Sequence, residues 1–137
     1  MAPQMIFVNL PVKDLDASKA FFEKLGYSFN PQFSDDTAAC LVISDTIFAM
    51  LLTEKKFGEF TAPGKEISDA TKATEVLITL SAESREKADA LADAALAAGG
   101  TPAKEPMDMG FMYGRSFTDL DGHHWEVFWM DPAADQG

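Results

Sequence analysis

A single cysteine, Cys40, stands in the 137 residues, so no internal disulfide can form and no paired-cysteine metal motif is available. Basic side chains are also few. Eleven Lys and Arg face 22 Asp and Glu, a net charge of −11 that repels a phosphate backbone, and Lys55-Lys56 is the only adjacent basic pair. Nucleic acid is therefore excluded as a partner. Long apolar runs are missing as well, none approaching the roughly 20 residues needed to cross a bilayer, so no membrane partner is expected. Met1 to Gln4 has no basic n-region, and the first apolar run, Ile6 to Val12, is interrupted by Asn9 and Pro11. Nothing there resembles a signal peptide, and a cytoplasmic location is expected. A Ser-His-Asp order and a glycine-rich phosphate loop are both absent, which removes the commoner hydrolase and nucleotide readings.

What is present suits one folded domain over residues 1 to 137: 47% hydrophobic, 24% charged and 11% aromatic residues. Ile6 to Val12 reads as a strand. Asp14 then caps a helix whose Leu15, Ala17, Ala20, Phe21, Phe22 and Leu25 cluster on one side, with Gly26 as the stop. Three extended runs follow, Tyr27 to Phe33, Ala38 to Ser44 and Thr46 to Thr53. Glu54 to Ala73 has no clear period and reads as a connecting loop, with a short helical turn over 54 to 60. The same order then recurs. Glu75 to Ala82 is extended, and Ser84 opens a helix with Ala88, Leu91, Ala92, Ala95 and Leu96 at stripe spacing, stopped by Gly99-Gly100. Thr101 to Pro106, Phe111 to Asp119 and His123 to Met130 are extended, the last two joined by the hairpin signal Leu120-Asp121-Gly122, and Asp131 to Gly137 reads as a frayed tail. The fold class is thus α+β, two strand-helix-strand-strand-strand modules at about 4 to 53 and 74 to 131, with Val12 and Leu80 in corresponding places. Two such curved sheets side by side would enclose a ligand cavity.

Strand alternation selects the residues that could line it. On the last strand His124, Glu126, Phe128 and Met130 share one face and His123, Trp125, Val127 and Trp129 the other. His124 and Glu126 are metal-ligand types and could also exchange protons, so Glu126 is the candidate catalytic residue. Glu75, at the expected start of the fifth strand, would add a second carboxylate. Phe7 and Asn9 share a face of the first strand. Arg115, in the same parity as Phe111, Tyr113 and Phe117, could hold an anionic group or pair with a local acid such as Asp119 or Asp121. Cys40 lies in an apolar run that suits a buried, inert thiol. The candidate ligand-binding set is Phe7, Asn9, Glu75, Tyr113, Arg115 and His124.

The segments Leu10-Pro11-Val12-Lys13-Asp14-Leu15-Asp16-Ala17-Ser18-Lys19-Ala20-Phe21-Phe22 with Leu25-Gly26, and Arg115-Ser116-Phe117-Thr118-Asp119-Leu120-Asp121-Gly122-His123-His124-Trp125-Glu126-Val127, resemble the opening and closing segments of one family. This is the vicinal oxygen chelate superfamily, which contains glyoxalase I, extradiol dioxygenases, fosfomycin-resistance enzymes and bleomycin-resistance proteins. The resemblance spans about residues 4 to 131. It implies a glyoxalase-like fold, a homodimer, a small-molecule ligand and, in metal-dependent members, a divalent ion held from the first, fourth, fifth and eighth strands. Carried over, those positions are Phe7, a place near Leu51, Glu75 and Glu126, so two of the four are apolar. The resemblance thus implies a glyoxalase- or bleomycin-resistance-like binding protein with a divergent metal site. The alternative it implies is a metal-dependent lyase, isomerase or dioxygenase using Glu75 and Glu126.

Overall fold

The computed structural model describes residues 3 to 135, and the chain divides into two compact units, residues 1–69 and 70–137. In the first, strand β1 (Ile6–Val12) leads through Asp14 into helix α1 (Leu15–Lys24). The Asp14 side chain accepts the Ala17 N–H at 3.0 Å, the cap that the sequence signals. Strands β2 (Ser28–Asn30), β3 (Ala38–Val42) and β4 (Ile47–Thr53) complete a four-stranded sheet in the order β1-β4-β3-β2, with β1 and β4 parallel and the other pairs antiparallel.

The face of this sheet under α1 is withdrawn from water. Leu10, Val12, Ala39, Leu41, Ala49 and Leu51 are buried there, with Phe21 and Phe22 of the helix in edge-to-face contact at 4.9 Å. Burial of each large side chain contributes about 1.5–3 kcal/mol. After β4, Thr53 accepts the Lys56 N–H at 3.2 Å and opens helix α2 (Glu54–Phe60), the helical turn expected in the connecting stretch.

In the second unit, β5 (Leu77–Ser81) is followed by α3 (Arg85–Ala97), capped by Ser84 through the Lys87 N–H at 3.1 Å. Strands β6 (Thr101–Pro102), β7 (Met107–Asp108), β8 (Met112–Thr118) and β9 (His124–Met130) complete a five-stranded sheet ordered β5-β9-β8-β6, with β7 also on β8. The β5–β9 pair is parallel, as β1–β4 is, so each unit has a mixed sheet; the first follows the expected strand-helix-strand-strand-strand order, and the second has one strand more after its helix, the short β7. Fully buried Ala88, Ala92 and Ala95 let α3 approach Phe117, Trp125 and Val127. The Asp121-Gly122 hairpin forms, with Asp119 N–H on His123 O at 3.0 Å. Gly122 has φ +88°, and a Cβ there would lie 2.9–3.0 Å from the backbone of Ala70 and Thr71, so only glycine fits.

Three extended runs are markedly shorter than the sequence suggests. Tyr27 to Phe33 extends only over Ser28–Asn30, because Pro31 lacks an N–H and Asn30 caps a 3₁₀ turn, Pro31–Phe33, through the Gln32 N–H at 2.9 Å. Thr101 to Pro106 is a strand only over Thr101–Pro102, and the next strand, β7, begins beyond it at Met107, with Pro102 and Pro106 bracketing the irregular segment between. Glu75 precedes β5 rather than opening it. Within the expected tail, Pro132–Asp135 is a 3₁₀ turn, and residues 136 and 137 lie outside the described residues. Among the described residues no helix is long and apolar enough to cross a membrane.

Candidate ligand site

Strand β9 divides its side chains as alternation requires. Trp125 and Val127 are buried under α3, which leaves His124, Glu126 and Phe128 on the face away from the helix. Register then supplies their neighbours: Leu77 beside His124, Thr79 and Ser116 beside Glu126, and Gly114 beside Phe128. The Glu126 carboxylate is fixed from two sides. Thr79 donates its hydroxyl to Oε1 at 3.3 Å, and His124 Nε2 lies 3.1 Å from Oε2. The His124 and Glu126 side chains remain 13% and 33% exposed, so the carboxylate is held in place yet open to a ligand.

A cavity of about 230 Å³ lies against this carboxylate, between the segment Lys104 to Met107 and the strand residues Gly114 to Ser116 and Glu126 to Phe128. A second, of about 460 Å³, adjoins the same segment from Pro102 to Pro106 and meets Arg115 and Ser116. Its size is within the range of small-molecule sites. The wall segment is clipped by Ser116, whose buried Oγ accepts the Lys104 N–H at 3.0 Å. The sequence reading missed Ser116, Gly114 and this wall. The prolines at 102 and 106 were the available signal, since two missing N–H groups cannot sustain a continuous strand.

The structure brings only part of the sequence-selected set together. His124 and Glu126 are in contact. Tyr113 and Arg115 stand on the helix side of β8 instead, because Arg115 is in register with Val127 and Tyr113 with Trp129. Arg115 is paired with Asp89 (2.7 Å) and Asp93 (2.9 Å) of α3 rather than with Asp119 or Asp121. Burial pulls its basicity down, but the hydrogen bonds to Asp89 and Asp93 outweigh that and raise it. The Tyr113 hydroxyl donates to Asp89, which together with Arg115 holds that carboxyl below the usual range and raises the tyrosine. Arg85 lies over the Tyr113 ring at 4.4 Å and pairs with Asp108. This network ties helix to sheet.

Glu75 is exposed in the bend before β5. In the first unit, Phe7 stacks on Phe48 at 4.8 Å and 42% of it is exposed, while Asn9 Nδ2 donates to Phe7 O at 3.2 Å. Cys40 is buried, as expected, and burial pushes its thiol up. Asp119 is buried in the hairpin. It accepts the Asp121 and His123 N–H groups and Trp125 Nε1, each at 3.0 Å, while burial raises its carboxyl and nearby His123 partly offsets that.

The residues do not fit the four-ligand divalent site that the resemblance implies. Phe7 offers no lone pair, Leu51 is fully buried under α1, and Glu75 stands outside its strand. His124 and Glu126 turn their polar atoms toward each other. Among the described residues no group of three or more His, Cys, Asp or Glu converges to hold a metal ion.

Residues 4–44 match a family model described as bleomycin resistance protein-like, N-terminal. No curated protein matches the chain. Among solved structures, the chain is similar to a hypothetical protein from S. aureus at 32% identity and a TM-score of 0.76, over 94% of this chain and 95% of that one. It is similar in fold to a glyoxalase/bleomycin resistance protein/dioxygenase family enzyme from Burkholderia phytofirmans (18% identity, TM-score 0.78, 93% and 99% covered). A genomically encoded fosfomycin resistance protein from Listeria monocytogenes shares the fold too (17%, 0.65, 94% and 94%).

Proposed function

Since the chain belongs to the glyoxalase/bleomycin-resistance family of the vicinal oxygen chelate superfamily, we propose that it binds a small cationic organic molecule on the second sheet, anchored by Glu126. One observation carries this reading: an oriented, one-third-exposed carboxylate lies against a cavity of about 230 Å³ lined also by apolar Pro106, Met107 and Phe128 and by Lys104, Glu105 and Arg115, the last with its charge taken up by Asp89 and Asp93. A carboxylate with both oxygens already aimed by Thr79 and His124 receives a cation with little reorganisation. The adjoining apolar side chains supply contact area for the rest of the guest. The net charge of −11 favours approach of a cation over an anion of the same shape.

The protein works as a homodimer in the cytoplasm in this reading. Exposed Met5, Ile6, Phe7 and Ile47 at one end of β1 and β4 support a subunit contact, and the single buried thiol suits a reducing compartment. Sedimentation equilibrium checks the dimer.

Calorimetric titration with benzylamine and with benzoate, two guests of like shape and opposite charge, tests the cation reading. Benzylamine is expected to bind at least about tenfold tighter, and equal or reversed affinities would overturn it. Metal content of the purified protein is measured alongside. A stoichiometric ion lost in Glu126→Ala would replace this reading with the metal-dependent lyase, isomerase or dioxygenase.

A further inference from the structure

The face of the second sheet that carries Glu126 changes character along its strands. Tyr113 and Arg115 stand on the helix side of β8, so Met112, Gly114 and Ser116 share the other face with Glu126 and Phe128. Register sorts that face into rows across the sheet. Thr79, Glu126 and Ser116 form one, and Phe128, Gly114 and Met107 belong to the next. Met130 lies opposite Met112, and Met109 N–H reaches Met112 O at 2.8 Å, which carries the β7–β8 pairing one position further. Met109, Met112 and Met130 are thus the third row, with Gly110 at φ +81° making the turn between the first two. Four of the seven methionines of the chain stand together here.

The cavity of about 230 Å³ joins the first two rows, since Glu126, Ser116, Phe128, Gly114 and Met107 all line it. A Cβ placed on Gly114 would meet Phe128 Cβ at 3.9 Å and Met107 Cε at 4.0 Å, so the glycine floors a gap between two apolar side chains. The next residue on its side of the strand is Met112. Met107, Met109 and Met130 are 48%, 53% and 38% exposed, so this end of the face is apolar surface that a guest can cover. The acid within the stretch, Asp108, turns to the helix side and pairs with Arg85.

We infer that the guest is an amphiphilic cation, an ammonium group held at Glu126 with an unbranched alkyl tail of about ten carbons that passes over Gly114 onto the methionine row. This class of guest rests on the Glu126 reading of the cleft and is a choice within it. The length follows from strand geometry. Glu126 and Met130 are four residues apart on β9, about 13 Å at a rise of about 3.3 Å per residue. An extended chain built from carbon–carbon bonds of ~1.5 Å advances about 1.25 Å per carbon. Methionine side chains, unbranched and polarizable, conform to such a tail along its length.

The test is an NMR titration of the full chain, carrying ¹³C at its methionine methyls, with benzylamine and with decylamine below its micelle concentration. Benzylamine is expected to move the Met107 methyl without Met112 or Met130, and decylamine to move all three together. Affinity should rise about twofold per methylene from hexylamine to decylamine, because one side of the tail stays in water. Met130→Ser should lower decylamine affinity about threefold and leave benzylamine within about twofold. Decylamine that moves Met107 and leaves Met112 and Met130 in place, or an affinity independent of chain length, would overturn the tail path and keep the Glu126 reading. If both amines left Met107 unmoved, the Glu126 reading would fall and the tail path with it. Decanoate bound as tightly as decylamine would overturn the cation while leaving an apolar path.

Discussion

The two units share an order of elements and differ in what they place at matching positions. Under α1 the first sheet buries aliphatic side chains against Phe21 and Phe22, whereas under α3 the second packs alanines against Trp125 and adds Arg115 bridged to Asp89 and Asp93. Away from the helices, the first sheet has the stacked Phe7 and Phe48 at the end of β1 and β4, with Asn9 turned back on its own backbone. The second has Thr79, His124, Glu126 and Ser116 at adjacent ladder positions. Backbone order sets the architecture of each module, and the side chains at its ladder positions decide which module carries polar chemistry.

The contrast is most readily broken in the cores. Phe22→Ala and Trp125→Ala should each cost about 3–5 kcal/mol in urea unfolding. Trp125→Ala should be the worse, because it also strips Asp119 of the Nε1–H donor at 3.0 Å. Gly122→Ala comes next, at about 2 kcal/mol or more, since a left-handed φ and a backbone contact both oppose a Cβ. Equal stability of that variant would contradict the hairpin geometry.

A smaller effect is the pH dependence of the second unit, where Asp89 and Asp119 both lie. Asp89 is held below the ordinary Asp value by the Tyr113 hydroxyl and Arg115, so its contribution is complete above about pH 4 and is lost as pH falls through the lowered value. Arg115→Met should flatten that acid limb of the urea midpoint. Asp119 runs the other way: its carboxyl is raised by burial, so its contribution is present below about pH 4 and is lost as pH rises through the raised value. The smallest effect is the sharpest for function. Asn9→Ala, in the first unit, should leave benzylamine affinity within about twofold in calorimetry.

Much of the fold is written in local sequence. Asp14 and Ser84 announce their helices, Asp121-Gly122 its hairpin, and alternation alone puts His124 and Glu126 on one face opposite Trp125. The first-strand and fourth-strand positions could also be read as apolar from Phe7 and Leu51. The partners of Arg115 could not, because the facing of Asp89 and Asp93 depends on how α3 is rotated over the sheet, which no local pattern encodes. Strand register, fixed by the hairpin, would have put Arg115 opposite Val127 and so on the helix side. Glu75 misled because its neighbours alternate like a strand, while pairing with β9 begins only at Leu77. The interruption between β6 and β7 lies between two prolines, Pro102 and Pro106, which the alternation of the run did not weigh.

The central claim is that Glu126 anchors the guest, and the measurement that tests it most directly is benzylamine affinity in Glu126→Gln against the unaltered protein, with urea unfolding of both as the control. The substitution keeps the shape and removes the charge, so affinity should fall at least about tenfold while stability shifts by less than about 1 kcal/mol. Unchanged affinity in a stably folded Glu126→Gln would contradict the account.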